Sequence, residues 1–225
     1  MPGEAMVDTR IAGFSSHDGA QAFAKDQCKC SKSIKLRGKT MTVDLEALAR
    51  DVAYLKDRLA IEDCVHGHAR GHDRFDVALM TASYHEDGVD EHGAAAINNG
   101  PEYGEWANKI HAQGALLNLH NITTHTCEIE GETAHAESYV LVGLLNPDGE
   151  TVRFINGRYV DRLEKRDGVW RIALRRCTLD FLIQGDASLL KSPYISAAGY
   201  IKGQRDRSDV SYQRPLSLDK DVQRL

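Results

Sequence analysis

Eight of the ten histidines lie between residues 66 and 125, in the same stretch as Asp73, Asp90 and Glu91. Imidazoles and carboxylates gathered so closely can hold a metal, pass protons, or decorate a wet surface. A metal site would draw on His68 and His72, four apart on a helix, with His120 or His92 completing the set. The helical zinc pattern His-Glu-x-x-His is absent, however. The segment reads His68-Ala69-Arg70-Gly71-His72, with a glycine inside the turn that should hold two ligands rigid. Cys28 and Cys30 stand with one residue between them and no second pair to complete a tetrahedron. On this count neither a metal nor another cofactor is expected.

Proton transfer needs fewer parts. Asp73 stands where an early helix should end, and His120 where a strand should begin. A carboxylate facing an imidazole fixes its tautomer and stabilises the imidazolium formed when the ring takes a proton, near neutral pH. Such a pair in an apolar pocket is a complete general base. The competing reading is a structural pair, since buried polar groups need partners in any case, and spacing leaves that choice open. His66, His72, His85, His111, His125 and His135 read as ordinary surface or packing residues.

The elements that must position these groups follow from apolar periodicity. Leu45, Leu48, Val52, Leu55 and Leu59 recur at three and four residues, predicting an amphipathic helix with Asp44 as its N-cap. A second helix carries Ile61, Val65 and His68 and should weaken or bend at Gly71. A third covers 75–84, a short strand 87–92, and a further helix 102–116 bearing Trp106 and Ile110. Four β segments then follow, at 118–130, 133–145, 151–165 and 169–181. Their junctions, Glu130-Gly131-Glu132, Asn146-Pro147-Asp148-Gly149 and Arg166-Asp167-Gly168, have the turn chemistry of antiparallel hairpins. Helices first and a long meander last predict an α+β fold, a cone in which a curved antiparallel sheet wraps the helices.

Composition bounds the rest. The chain has 225 residues, 42% hydrophobic and 27% charged, with a formal charge of -5, which fits one globular core and favours neither nucleic acid nor an anionic membrane. No run approaches the roughly 18 apolar residues that cross a bilayer, and the start lacks the apolar stretch of a secretory signal, so a cytoplasmic protein with reduced thiols is expected. Residues 1–40 read as a loosely ordered extension, with Met41-Thr42-Val43-Asp44-Leu45 as a natural beginning. Residues 41–184 form the domain, and 185–225 an arm lying on a neighbouring subunit or over the pocket mouth, or a frayed tail.

Several motifs in order carry a resemblance. They are Asp57-Arg58-Leu59-Ala60-Ile61-Glu62-Asp63, then Gly71-His72-Asp73-Arg74-Phe75-Asp76, Tyr84-His85-Glu86-Asp87 and His120-Asn121-Ile122-Thr123. Gly157-Arg158-Tyr159-Val160-Asp161-Arg162 and Asp167-Gly168-Val169-Trp170-Arg171-Ile172 complete them. Over about residues 45 to 182 the chain resembles the SnoaL-like branch of the nuclear transport factor 2-like (cystatin-like) superfamily. Dehydrochlorinase, bile acid 7α-dehydratase and lignin-dimer formaldehyde lyase types belong to that branch. The resemblance implies that Asp73 orients His120 and that His120 removes a proton during elimination. It also places His68, five residues before Asp73, where relatives carry a residue assisting the leaving group, which requires Gly71 to bend the helix. Asp90 replaces a Trp of the dehydrochlorinase wall, and with His92 it alternates onto one strand face. Tyr84, Tyr139 and Asn156 are further candidate lining residues. An inward arginine would bind an anionic oxygen or a phenolate of the substrate. Arg175, which matches a recurrent Arg of the last strand, is the candidate for this, with an ion pair to a sheet neighbour as the competing role, and Arg158 and Arg176 are the other arginines weighed.

The expected function is a cofactor-independent lyase that eliminates water, with or without formaldehyde, from a hydrophobic aromatic or polycyclic hydroxylated substrate. An isomerase or cyclase using the same pocket, or a non-catalytic small-ligand binder, are the alternatives. The resemblance also implies a homo-oligomer, a trimer or a dimer.

Overall fold

A computed structural model describes residues 31–36 and 39–225. The N-terminal extension and the Cys28 and Cys30 pair therefore lie largely or wholly outside the described residues. Two compact units are present, Met1–Lys56 and Asp57–Leu225. In the first, β1 (Ser31–Leu36) and β2 (Lys39–Asp44) pair as an antiparallel hairpin that the sequence reading did not foresee. Asp44 then caps α1 (Leu45–Asp73), its Oδ1 accepting from the amides of Glu46 at 3.0 Å and Ala47 at 3.1 Å.

The two helices expected between 45 and 71 are one. Helix α1 runs through Gly71 without the expected bend, because Gly71 serves close packing instead. A Cβ there would meet Met80 Cγ at 2.6 Å, so its absence lets α2 (Val77–Ala82) lie against the helix. The chain turns only after Asp73, at Phe75, which takes a left-handed φ of 49°. Leu48, Val52, Leu55 and Leu59, the predicted apolar stripe, are exposed in this chain.

After α2 come β3 (Tyr84–Glu91), β4 (Ile97–Asn99) and α3 (Gly100–Gly114), with Pro101 in the first turn where its missing N–H costs nothing. The meander follows as β5 (Leu117–Glu130), β6 (Thr133–Leu145), β7 (Thr151–Arg166) and β8 (Val169–Cys177), close to the predicted bounds. Strand order is β4-β3-β8-β7-β6-β5, all antiparallel except β3 beside β8, which is parallel. Gly131, Gly149, Asp167 and Gly168 have positive φ at the hairpin turns. Alternation is clear on β6, where Ala134, Ala136, Ser138, Val140, Val142 and Leu144 are buried and face the core. Ala134 and Ala136 pack with Ile61, Tyr84, Tyr103, Leu163, Trp170 and Ile172, while Val140, Val142 and Leu144 form a second cluster with Ala115 and Tyr159. The result is the expected α+β fold, with helices held in a curved sheet.

A fifth partner was not foreseen. β9 (Phe181–Asp186) pairs with the first half of β7 while β8 pairs with the second half, so one edge of β7 serves two strands. Residues 178–180 make the handover: Thr178 N donates to Arg158 O at 2.9 Å and Asp180 N to Asn156 O at 2.8 Å. Gly157 lies between, and a Cβ on it would sit 2.0 Å from Thr178 O. Beyond β9 the C-terminal segment carries α4 (Pro193–Ala198) and returns to its own chain, with Arg205 Nη2 bonded to Ala115 O and its guanidinium over the Phe75 ring.

Because both clashing partners at Gly157 are backbone, Gly157→Ala should destabilise the fold by about 2–3 kcal/mol, the cost of overpacking. A urea midpoint equal to that of the parent would show that the handover tolerates a side chain.

Candidate active site

The last turns of α1 present two different faces. Ile61, Val65, His68 and His72, at spacings of four, three and four, are buried in the core. His66, Ala69, Arg70 and Asp73 lie on another side and, with Arg74, line a pocket of about 250 Å³ completed by His120 and Ile122 of β5. Residues five apart on a helix point about 140° away from each other, so an unbent α1 turns His68 away from Asp73.

Asp73 and His120 meet. The Asp73 carboxylate accepts the His120 backbone N–H at 2.9 Å on Oδ1 and 3.0 Å on Oδ2, and His120 Nδ1 lies 2.8 Å from Oδ1. Asn118 Nδ2 donates to His72 O at 2.8 Å, which fixes the helix end beside them. An ionised carboxylate can only accept, so Nδ1 carries the ring proton and Nε2 keeps its lone pair. The His120 side chain is 4% exposed and that of Asp73 14%, so the pair is sheltered from bulk water although both residues line the pocket.

Behind the pair stands a wall of aromatic and imidazole rings. His72 and His111 both stack on His120, with centroids at 4.5 Å and 5.6 Å. His72 Nε2 is 3.1 Å from His68 Nε2 and 3.0 Å from the Tyr103 hydroxyl, which is itself 3.1 Å from His92 Nε2. His92 Nδ1 and the Tyr84 hydroxyl both bond the fully buried Asp90. A polar chain thus crosses the interior from His68 to Tyr84. Burial, then Arg175, holds His68 well below the ordinary imidazole range. Burial, then His120, does the same to His72 and brings His111 down to about 4. Burial likewise raises the Tyr84 and Tyr103 phenols well above their usual range. His68, His72, His111, Tyr84 and Tyr103 are therefore neutral at neutral pH.

The remaining candidates divide. Asp90 and His92 form the expected second polar cluster and bring in Tyr84, but none of the three lines the dyad's pocket. His68 is likewise absent from that lining, so the expected bend that would have faced it there is corrected. Tyr139 is exposed on β6 and Asn156 lies on β7 beside Phe181 of β9, both outside the pocket lining. Arg175 is fully buried in a bidentate pair with its sheet neighbour Asp161, at 2.8 and 2.7 Å, and covers the Tyr159 ring at 4.0 Å. Arg158 bonds Glu137 and Asp180, and Arg176 pairs with Glu91. His72 and His111, which had read as ordinary residues, stand against the base. Tyr103, Ala107 and His111 recur every four residues on α3, a pattern that would have shown His111 turned inward.

Two groups among the described residues could take a cation. His72, His111 and His120 each offer a ring nitrogen within 4.8 Å of the others, and Asp90, His92 and Cys177 do the same with mixed donors. Zinc–nitrogen bonds of about 2.0–2.1 Å would require tighter convergence.

A family model described as SnoaL-like domain matches residues 53–176, more than half of the chain. The chain belongs to the SnoaL-like family. Among solved structures, a hexachlorocyclohexane dehydrochlorinase superposes with a TM-score of 0.56 at 20% identity, covering 60% of this chain and 93% of that one. A putative scytalone dehydratase from Novosphingobium aromaticivorans gives 0.53 at 18%, covering 58% and 88%. A protein of unknown function from Mycobacterium tuberculosis gives 0.50 at 29%, covering 56% and 77%. No curated protein matches the chain by sequence. Among the described residues no helix is long and apolar enough to cross a membrane.

The neutral wall makes stability depend on acid. Once unfolded, His111 binds a proton below about 6.5, whereas in the fold it does so only near 4. Between those values the unfolded state holds more protons, so stability falls as pH falls. The urea midpoint should drop from pH 7 to pH 5, and His111→Gln should make the decline shallower. A parent profile flat over that range would contradict a neutral, buried cluster.

Proposed function

We propose that this SnoaL-like protein is a metal-independent lyase in which His120, oriented by Asp73, removes a proton from carbon and a hydroxyl leaves as water. The observation that carries this reading is the grip of one carboxylate on both the backbone N–H and Nδ1 of His120, which holds a free Nε2 lone pair at the pocket. In the balanced step Nε2 takes the proton, the C–H electrons form the C=C bond, and the C–O bond breaks. The imidazolium then protonates the departing hydroxide, and the ring returns to neutral. His68 is not needed as the acid, since burial keeps it neutral and it faces the core.

The likeness to a dehydrochlorinase and a putative scytalone dehydratase favours elimination over other chemistries of this fold. The volume of about 250 Å³ favours one ring with short substituents over a polycyclic skeleton, given that about 150 Å³ holds benzene. Homo-oligomerisation belongs to the same proposal. Leu179, Phe181, Leu182 and Ile183 are all at least half exposed at or beside β9, and a light-scattering mass of a single chain would remove it.

The test follows products from a panel of hydroxylated aromatic and aliphatic compounds by mass. The expected product is lighter by one water, and turnover survives chelator treatment. His120→Gln and Asp73→Asn should each lower kcat by on the order of 10³-fold with the fold intact. Product of unchanged mass would point to an isomerase. A panel turned over equally well by His120→Gln would end the proposal.

A further inference from the structure

The pocket beside the dyad is basic. Of its seven lining residues only Ala69 and Ile122 are apolar, while Arg70 and Arg74 bring two guanidinium groups against the single carboxylate of Asp73. That carboxylate is already engaged by the amide and ring of His120, so it is a poor partner for either arginine. Arg74 donates one bond, from Nη1 to the Asp73 carbonyl at 3.2 Å. Its buried Nε lies 3.3 Å from Asp209 Oδ1, within ion-pair range but without a hydrogen bond, which leaves that N–H unsatisfied. Arg70 bonds only Ser211 Oγ, through Nη2 at 3.1 Å, and rests on the Tyr212 ring at 5.1 Å. Among the described residues, the other guanidinium nitrogens of this pair have no protein acceptor.

The two arginines are one helical turn apart, on the face that also presents Asp73. Each keeps guanidinium N–H groups without a protein acceptor, and such groups suit a planar, two-oxygen anion. We infer that Arg70 and Arg74 form a carboxylate subsite, so the substrate of the dyad is a small hydroxycarboxylate whose acidic C–H lies next to the carboxylate. This rests on the dyad reading and names its substrate class. The proposed elimination gains from such a group. Removing a proton beside a carboxylate places negative charge on its oxygens, and two guanidinium groups at that end stabilise the charge as it forms. Asp209 of the tail accepts from Gln204 N at 2.8 Å and Ser211 N at 2.9 Å and stands 3.3 Å from Arg74 Nε, outside the pocket lining, so in this proposal it competes with the substrate's carboxylate for Arg74.

The experiment separates binding from turnover. Mandelate, a binding probe that cannot itself lose water because its hydroxyl and acidic C–H share one carbon, and the isosteric neutral mandelamide are titrated calorimetrically into the full chain and into His120→Gln, with inorganic phosphate as a control anion. Mandelate should bind at least tenfold more tightly than the amide or phosphate, and His120→Gln should keep that preference. Arg70→Gln and Arg74→Gln should each weaken mandelate binding by tenfold or more, with Arg74→Lys recovering part of the loss. Asp209→Asn is the deciding variant. It should strengthen mandelate binding several-fold by freeing Arg74, whereas arginines that merely anchor the tail would make the same change neutral or weakening. Equal affinity for mandelate and mandelamide, or a preference that survives loss of both arginines, would overturn the subsite. If mandelate is preferred in this Arg-dependent way but no compound tested above loses water, the lyase reading fails and the subsite stands. If neutral alcohols are dehydrated with no carboxylate preference, the reverse holds.

Discussion

The bond between the Asp73 carboxylate and β5 is the constraint on which the site depends. One side chain at the C-terminal end of a 29-residue helix accepts from the main chain and the ring of the same residue. The main-chain bonds fix where α1 ends against the sheet. The ring bond fixes which nitrogen of His120 is free. A charged acceptor satisfying a sheltered N–H contributes more than a neutral one, and here it couples the placement of two elements to the state of the base. Gly71 makes this possible from the other direction, since the chain can turn back over α1 only where α2 approaches without a Cβ between them.

Much of this was legible. The meander came from alternation and turn residues, and its strand bounds were close because period-two burial on β6 and β7 leaves little freedom of register. Asp73 and His120 could be paired because resemblance supplied a contact that spacing could not. What was lost has physical reasons. A glycine read as a helix weakener was a packing device, and helix propensity cannot distinguish the two. β9 carries no alternation, being exposed along most of its length, so only its hydrogen bonds to β7 reveal it. His72 and His111 looked ordinary because burial of a neutral imidazole leaves no mark in composition. Arg70 and Arg74 were visible in the sequence but were not singled out, because nothing in their spacing shows that they share a pocket with Asp73.

In the proposed elimination, the interior wall explains why a single histidine would carry the chemistry. His68, His72 and His111 lie near His120, yet burial, followed by Arg175 for His68 and by His120 for the other two, holds each of them neutral. A second imidazolium next to His120 would oppose its protonation when the base works. A neutral wall avoids that repulsion and still offers ring faces for stacking. Tyr103, bonded to His72 and His92 with its phenol well above the usual range, keeps its proton inside this network. Asp73, Arg70 and Arg74 bring permanent charge to the pocket from the end of α1 and the residue that follows it. Folding that short stretch correctly sets both the base and the field it works in, while the sheet supplies the imidazole and the walls.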